Sequence, residues 1–181
     1  MIDVKVAEPR IMITCDIGNE EGVCNDVLDI LFSYGIEARC LWFSDKGFVI
    51  VYMEKQLNVY TVVRYIVSRN IRGYWIIPID FTCSTGYEYI ARSVVDAILL
   101  KGYRLPIKAI GRCRKRGNII DSCSSLLRYI GNIIENLGIA VIDFRNYEYI
   151  IRIEVVYENT FISIYSRSDE NLFRVKRPNV I

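Results

Sequence analysis

The sequence predicts a mixed α/β (α+β) protein built as two successive units, each a set of short strands crossed by amphipathic helices. Three observations predict it. Apolar residues switch repeatedly between period-2 and period-3.6 spacing, in runs short enough to be single strands and helices. The 181 residues are 52% hydrophobic and 24% charged with only four Pro, a composition that folds rather than stays disordered. The charge is divided unevenly: residues 1–80 carry a net −3 and residues 81–181 a net +5, so the small total of +2 conceals an acidic part followed by a basic one.

The first part has the order β-α-β-β-α-β. Arg10–Cys15 is a β-rich run, and Asp16-Ile-Gly-Asn-Glu-Glu supplies turn and N-cap chemistry with acids in the first helical turn. Val23, Val27, Leu28 and Leu31 mark one helical face, and Gly35 stops that helix. Ile36–Phe43 and Gly47–Met53 are two strands joined by the turn Ser44-Asp45-Lys46-Gly47. Val59, Val62, Val63, Ile66 and Val67 trace a second helix, and Tyr74–Phe81 returns to strand with Pro78 near an edge or end. Two βαβ halves around a central hairpin are the ferredoxin-like arrangement, expected over residues 1–81.

The second part, expected over residues 82–166, opens on a helix whose face is Tyr87, Ala91, Val94, Val95, Ile98 and Leu99. Ser84 or Thr85 can cap it and Gly102 ends it. Asp121 or Ser122 can cap a second helix, carrying Leu126, Leu127, Ile130, Ile133, Ile134 and Leu137 at helical spacing before Gly138. Gly131 lies inside it at a cost of about 0.8–1.0 kcal/mol relative to Ala, so something packs close there; a neighbouring strand is favoured over a ligand backbone. Ile139–Asp143 is a short extended piece. Tyr149–Tyr157 and Thr160–Ser166 are β runs joined by Glu158-Asn159 as a hairpin loop. Residues 167–181 lose periodicity and read as a C-terminal tail, with Arg174, Lys176 and Arg177 at its basic end.

Between the two helices of the second part lies Lys101–Gly117, with seven Lys or Arg and no acid. Lys108, Ile110, Arg112 and Arg114 alternate with Ile107, Ala109, Gly111 and Cys113, which is strand spacing. A strand that delivers cations to one surface and ends in Arg114-Lys115-Arg116-Gly117 can track a phosphate backbone. The other reading is an edge strand kept from aggregating by its charge.

Several function classes are excluded by composition. Every apolar run is interrupted well before the ~18 residues of a membrane span, and the charged start argues against a secretory leader, so the expected location is cytoplasmic with no membrane partner. The six Cys form no CxxC pair and there is no His, so buried structural Cys is expected rather than metal ligation. An oxidised pair stays open, since intracellular proteins of hyperthermophiles are disulfide-rich. No phosphate-binding loop, dinucleotide fingerprint or nucleophile elbow occurs, and without His the commonest general base is missing. A Cys113 nucleophile between Arg112 and Arg114 is disfavoured because alternation points it away from both. The carboxylate pairs Glu20-Glu21 and Asp169-Glu170 sit in cap or loop positions. No catalytic residue and no cofactor is expected, and the chain is not read as an enzyme.

The element order around the CRKRGN strand end, RYIGNIIENLG, VIDFRN and the EYIIRIEVVYENTFISIY hairpin resembles a THUMP domain over about residues 82–166. The residues that carry the likeness are Arg114–Asn118, Ile130-Gly131, Val141-Ile142-Asp143 with Asn146, and Glu154. Gly111 and Cys113 depart from the larger packing residues usual in that strand. The first part is similar to the ferredoxin-like domain that often precedes THUMP. The resemblance implies binding of RNA, usually tRNA, in the service of base modification, and an arrangement like that of stand-alone archaeal and eukaryotic THUMP proteins that assist tRNA cytidine acetylation.

On this basis the chain is expected to be a tRNA-binding adaptor for a separate modification enzyme, such as a tRNA acetyltransferase. Lys108, Arg112, Arg114, Lys115 and Arg116 are the expected phosphate contacts, flanked by Arg128 and Arg145. The alternative is a protein-interaction subunit of an RNA-modification complex with little RNA affinity of its own, supported by 13 Tyr, a residue enriched at interfaces.

Overall fold

The structure, a computed structural model, describes residues 7–69 and 71–175. The described residues divide into two units, 7–79 with 171–175 and Asp80–Glu170.

In the first unit β1 (Ala7–Cys15), β2 (Ala38–Trp42), β3 (Phe48–Glu54) and β4 (Gly73–Pro78) form an antiparallel sheet in the order β2-β3-β1-β4. Helices α1 (Glu20–Ser33) and α2 (Val59–Ser68) pack on it. The apolar stripes are the reason: Val23, Val27 and Leu31 of α1 and Val62, Val63 and Ile66 of α2 are all buried against strand residues such as Ile11, Ile13 and Val51. Asn58 caps α2, its side-chain oxygen accepting the N–H groups of Tyr60 and Thr61. This is the ferredoxin-like order expected from the sequence.

The start of α1 is organised differently from the expected cap. Glu20, 2% exposed, turns its carboxylate back onto the loops and accepts the N–H groups of Gly18, Lys46 and Gly47 at 2.7–2.9 Å. Burial alone would raise its pKa, but the backbone donors outweigh it and hold the group below the ordinary carboxylate range. Stability from a depressed carboxylate is present above the unfolded pKa and lost as pH falls through the folded one. Glu20→Gln should therefore cost about 1–3 kcal/mol at pH 7, with the gap to wild type closing in acid denaturation titrations below about pH 4. A penalty that does not change with pH would show that packing, not charge, holds these loops.

The second unit has a five-stranded sheet in the order β5-β9-β8-β6-β7, from β5 (Phe81–Ser84), β6 (Ile107–Arg116), β7 (Ala140–Ile142), β8 (Tyr149–Val156) and β9 (Asn159–Ser166). β6 runs parallel to both β7 and β8, while β9 is antiparallel to β8 and β5. Helices α3 (Tyr87–Leu100) and α4 (Cys123–Asn136) cover one face, burying Ile90, Val94, Ile98, Leu126, Ile130 and Ile134 with Ile107, Ala109, Ile151 and Ile153. Ser122 caps α4 by accepting the N–H of Ser125.

Four sequence expectations are corrected. The run read as one strand over Tyr74–Phe81 is two, because Pro78 cannot donate to a ladder and Asp80 is claimed by the second unit. Asp80 donates its N–H to Ile162, accepts that of Ile164, and pairs with Lys101 at 2.8 Å. The cap expected for α3 from Ser84 or Thr85 is absent; Gly86 precedes the helix, and the Thr85 hydroxyl meets that of Thr160. The hairpin loop shifts by one residue to Tyr157-Glu158, since Val156 already pairs with Asn159. Finally, residues 167–175 do not trail away. Asp169–Phe173 is a 3-10 helix, Phe173 is buried against Tyr60, and Arg174 bridges to Trp75. Apolar Phe173 and Val175 were the signal; Lys176 and Arg177 lie outside the described residues.

Two disulfides form among the six Cys. Cys24–Cys40 ties α1 to β2 and Cys113–Cys123 ties β6 to the first residue of α4. Cys15 and Cys83 are free thiols. Burial, followed by the charges of Glu20 and Asp16, pushes the Cys15 thiol up to about 11, far from a reactive thiolate.

Candidate nucleic-acid interface

The alternation read in the basic strand is real, and it sorts the cations. The odd positions of β6 face the helices: Ile107 and Ala109 are buried in the core, a Cβ on Gly111 would stand 2.5 Å from Leu127 Cδ2, and Cys113 is bonded to Cys123. The two residues that depart from the usual packing size are therefore explained. A small residue and a covalent bond bring α4 close down on the strand.

The even positions face the other side of the sheet, and there most of the charge is internally matched. Glu154 on neighbouring β8, 2% exposed, receives Arg116 Nη1 on Oε2 at 2.8 Å and Arg152 Nη2 on Oε1 at 2.8 Å. The two guanidinium side chains are only 11% and 13% exposed. Burial lowers the Arg116 pKa and the Glu154 charge opposes that fall. Arg112 pairs with Glu170. Lys115, on the helix side, donates to the carbonyls of Ile120 and Asp121 and so pins the loop before α4. Arg112, Lys115 and Arg116, three of the expected phosphate contacts, thus have partners within the fold. The cause is tertiary: the acids that meet them come from β8 and from the segment after β9.

Lys108, Arg114, Arg128 and Arg145 remain exposed. Arg128 and Arg145 stand near one feature. Between α4 and strands β6, β7 and β8 opens a cavity of about 400 Å³, floored by Leu127, Ile130, Ile142, Ile151 and Ile153. Arg128, Asn132, Glu135 and the 78% exposed Phe144 stand at it. Arg145 follows Phe144 in a turn built by Asp143, whose Oδ1 accepts the N–H groups of Arg145 and Asn146 at 2.9 Å. Those hydrogen bonds, and then the charge of Lys108, hold the Asp143 carboxyl below its usual pKa; Lys108 itself is an even position of β6, on the side away from α4. Arg114 lies further along β6, on the same face as Lys108.

Gly131 lines the cavity as well. A Cβ there would meet only Ile142 Cγ1, at an ordinary 3.6 Å. Protein packing does not demand glycine at this position, contrary to the packing explanation favoured from sequence. What the missing side chain preserves is the open volume. Phe144, Asn132 and Ser124 were not singled out in the sequence. An aromatic set between Asp143 and Arg145 in a loop was the available signal for the first; the helical pair carries none. Among the described residues no group of three or more His, Cys, Asp or Glu could hold a metal ion, and no helix is long and apolar enough to cross a membrane.

Together the two units form the α/β fold expected from the sequence, a ferredoxin-like unit followed by a THUMP-like unit. No family model and no curated protein matches the sequence. Solved structures do share the fold. PH1313 from Pyrococcus horikoshii Ot3 aligns with a TM-score of 0.70 at 16% identity over 87% of this chain and 54% of its own. A 4-thiouridine synthetase, solved as an RNA complex with bound ATP, aligns at 0.60 and 16% identity over 87% of this chain and 41% of its own. TrmN from Thermus thermophilus aligns at 0.59 and 14% identity over 87% and 45%. The chain spans about half or less of the length of each.

Proposed function

We propose that the chain is a tRNA-binding adaptor that presents its RNA to a separate modification enzyme, a tRNA cytidine acetyltransferase being the candidate partner. The observation that carries this reading is the apolar cavity beneath α4, lined by Phe144 and Arg128, with Arg145 next along the chain from Phe144. An unpaired nucleobase has an apolar face to stack on an aromatic ring and a phosphate on either side to meet a cation. A duplex alone would need the cations but not the cavity. The shared fold with a 4-thiouridine synthetase that was solved with RNA supports the same reading.

A filter-binding titration with a tRNA transcript, intact or trimmed of its unpaired 3′ nucleotides, tests it. Gly131→Leu fills the cavity from within. It should weaken the intact transcript by about tenfold or more, the worth of one stacked base, and leave the trimmed one unchanged. Equal binding of both transcripts by wild type would remove the cavity from the account.

One observation favours the alternative, a protein-docking subunit. Ile17 (69% exposed), Leu41 (50%), Trp42 (43%) and Phe43 (53%) project around the two loops that Glu20 joins in the first unit. The Tyr content supports it less, because many rings have internal partners: Tyr34 stacks on Tyr65, Tyr87 meets Tyr129 edge-on, and Tyr165 is buried. Size-exclusion of the protein with total tRNA separates the readings, since a docking subunit of low RNA affinity gives no shift.

A further inference from the structure

The two disulfides differ in what they join and in what can reach them. Cys24 and Cys40 are 0% and 8% exposed, inside the core of the first unit. Cys113 and Cys123 are half-buried, so theirs is the less enclosed of the two bonds. Their bond links the two walls of the candidate interface. Cys113 stands between Gly111, which lines the cavity, and Arg114; Cys123 opens α4, just before Ser124, Leu127 and Arg128, which line the same cavity. The loop it closes contains the whole Arg114–Asn118 strand end.

We propose that Cys113–Cys123 is a redox-responsive clamp, oxidised in the RNA-binding form and opened by a dithiol reductant to a form that binds RNA more weakly. The proposal rests on the RNA-binding reading above. A thiolate of the reductant attacks one sulfur, the S–S bond breaks, and the other cysteine leaves as a thiolate that takes up a proton. The second thiol of the reductant then displaces the mixed disulfide. Two electrons and two protons pass to the protein, giving two thiols, and the reductant ends as its own disulfide.

The reason affinity follows is preorganisation. β6 stays in the sheet after reduction because its register with β8 runs the full length from Ala109 to Arg116. The first turn of α4 has less to hold it: the Ser122 cap, buried Leu126, and the Lys115 hydrogen bonds to the loop behind. Freed from Cys113, that turn can move away from the strand, and RNA must then restore the position of Arg128 beside the cavity on binding. Accessibility, rather than strain, distinguishes this bond from the buried one.

The test uses the full chain and a tRNA transcript. Alkylation and peptide mass mapping first establish which cysteines dithiothreitol opens under native conditions; hydrogen exchange over residues 123–128 and filter binding are then read on the same samples. Opening of Cys113–Cys123, faster exchange at the start of α4, and affinity about tenfold lower would support the clamp. Cys113→Ser with Cys123→Ser should match the reduced protein and lose further response to the reductant. Equal affinity of opened and closed protein overturns the clamp while leaving the RNA reading intact. Resistance of the bond to reductant in the folded protein also overturns it. No binding by any form overturns the RNA reading, and the clamp's function with it.

Discussion

Glu154→Ala is expected to lower the stability of the second unit by about 3–5 kcal/mol, the range for breaking a buried ion pair by removing one partner. The carboxylate is 2% exposed and stands between Arg116 and Arg152, whose side chains are 11% and 13% exposed. Its loss leaves two buried guanidinium groups facing each other without an anion. Repulsion adds to desolvation, and neither group is exposed enough for water to compensate. Arg116→Glu should be at least as damaging, because it sets a second carboxylate against Glu154. Urea melts read the change as a shift in midpoint at constant slope. A loss under about 1 kcal/mol would mean that solvent reaches the triad and that Arg116 is available at the surface after all.

The second large effect is on binding. Arg128→Glu combined with Arg145→Glu should weaken tRNA binding by about a hundredfold or more at moderate salt and reduce the slope of log affinity against log salt by about 2, one for each lost phosphate contact. Both side chains are exposed, so the thermal transition should be little moved. Reversal of Arg114 with Arg116 would be a poorer experiment. It would confound a binding loss with the collapse of the Glu154 triad. If the Arg128 and Arg145 double variant keeps wild-type affinity and salt slope, RNA does not lie across this face.

The basic strand marks the limit of what periodicity carries. Period 2 in Lys108–Arg114 gave the strand, its two faces and the inward direction of Cys113. It could not distinguish Arg114 from Arg112 and Arg116, which share a face. The difference lies with Glu154 and Glu170, 38 and 58 residues downstream, and is set by strand order and by the turn after β9. In the same way Gly131 was visible as a helix residue with a cost, but its neighbours were not. Only the distance to Ile142 shows that the space beside it is open. The C-terminal segment gave the opposite error. Five residues of 3-10 helix have too little periodicity to register, although Phe173 is only 2% exposed.

The sequence by itself determined the elements, their order, the ferredoxin-like first unit, the acidic and basic division, and the strand and helix on which binding would depend. These are local properties, fixed by the spacing of apolar residues and by caps and turns within a few positions. Tertiary structure alone decided which cations are surface charges and which are buried partners, which cysteines are joined, and that the helix bearing Gly131 roofs a cavity. Each of those is a matter of who stands opposite, between residues from 10 to 58 positions apart, and no periodicity reaches that far.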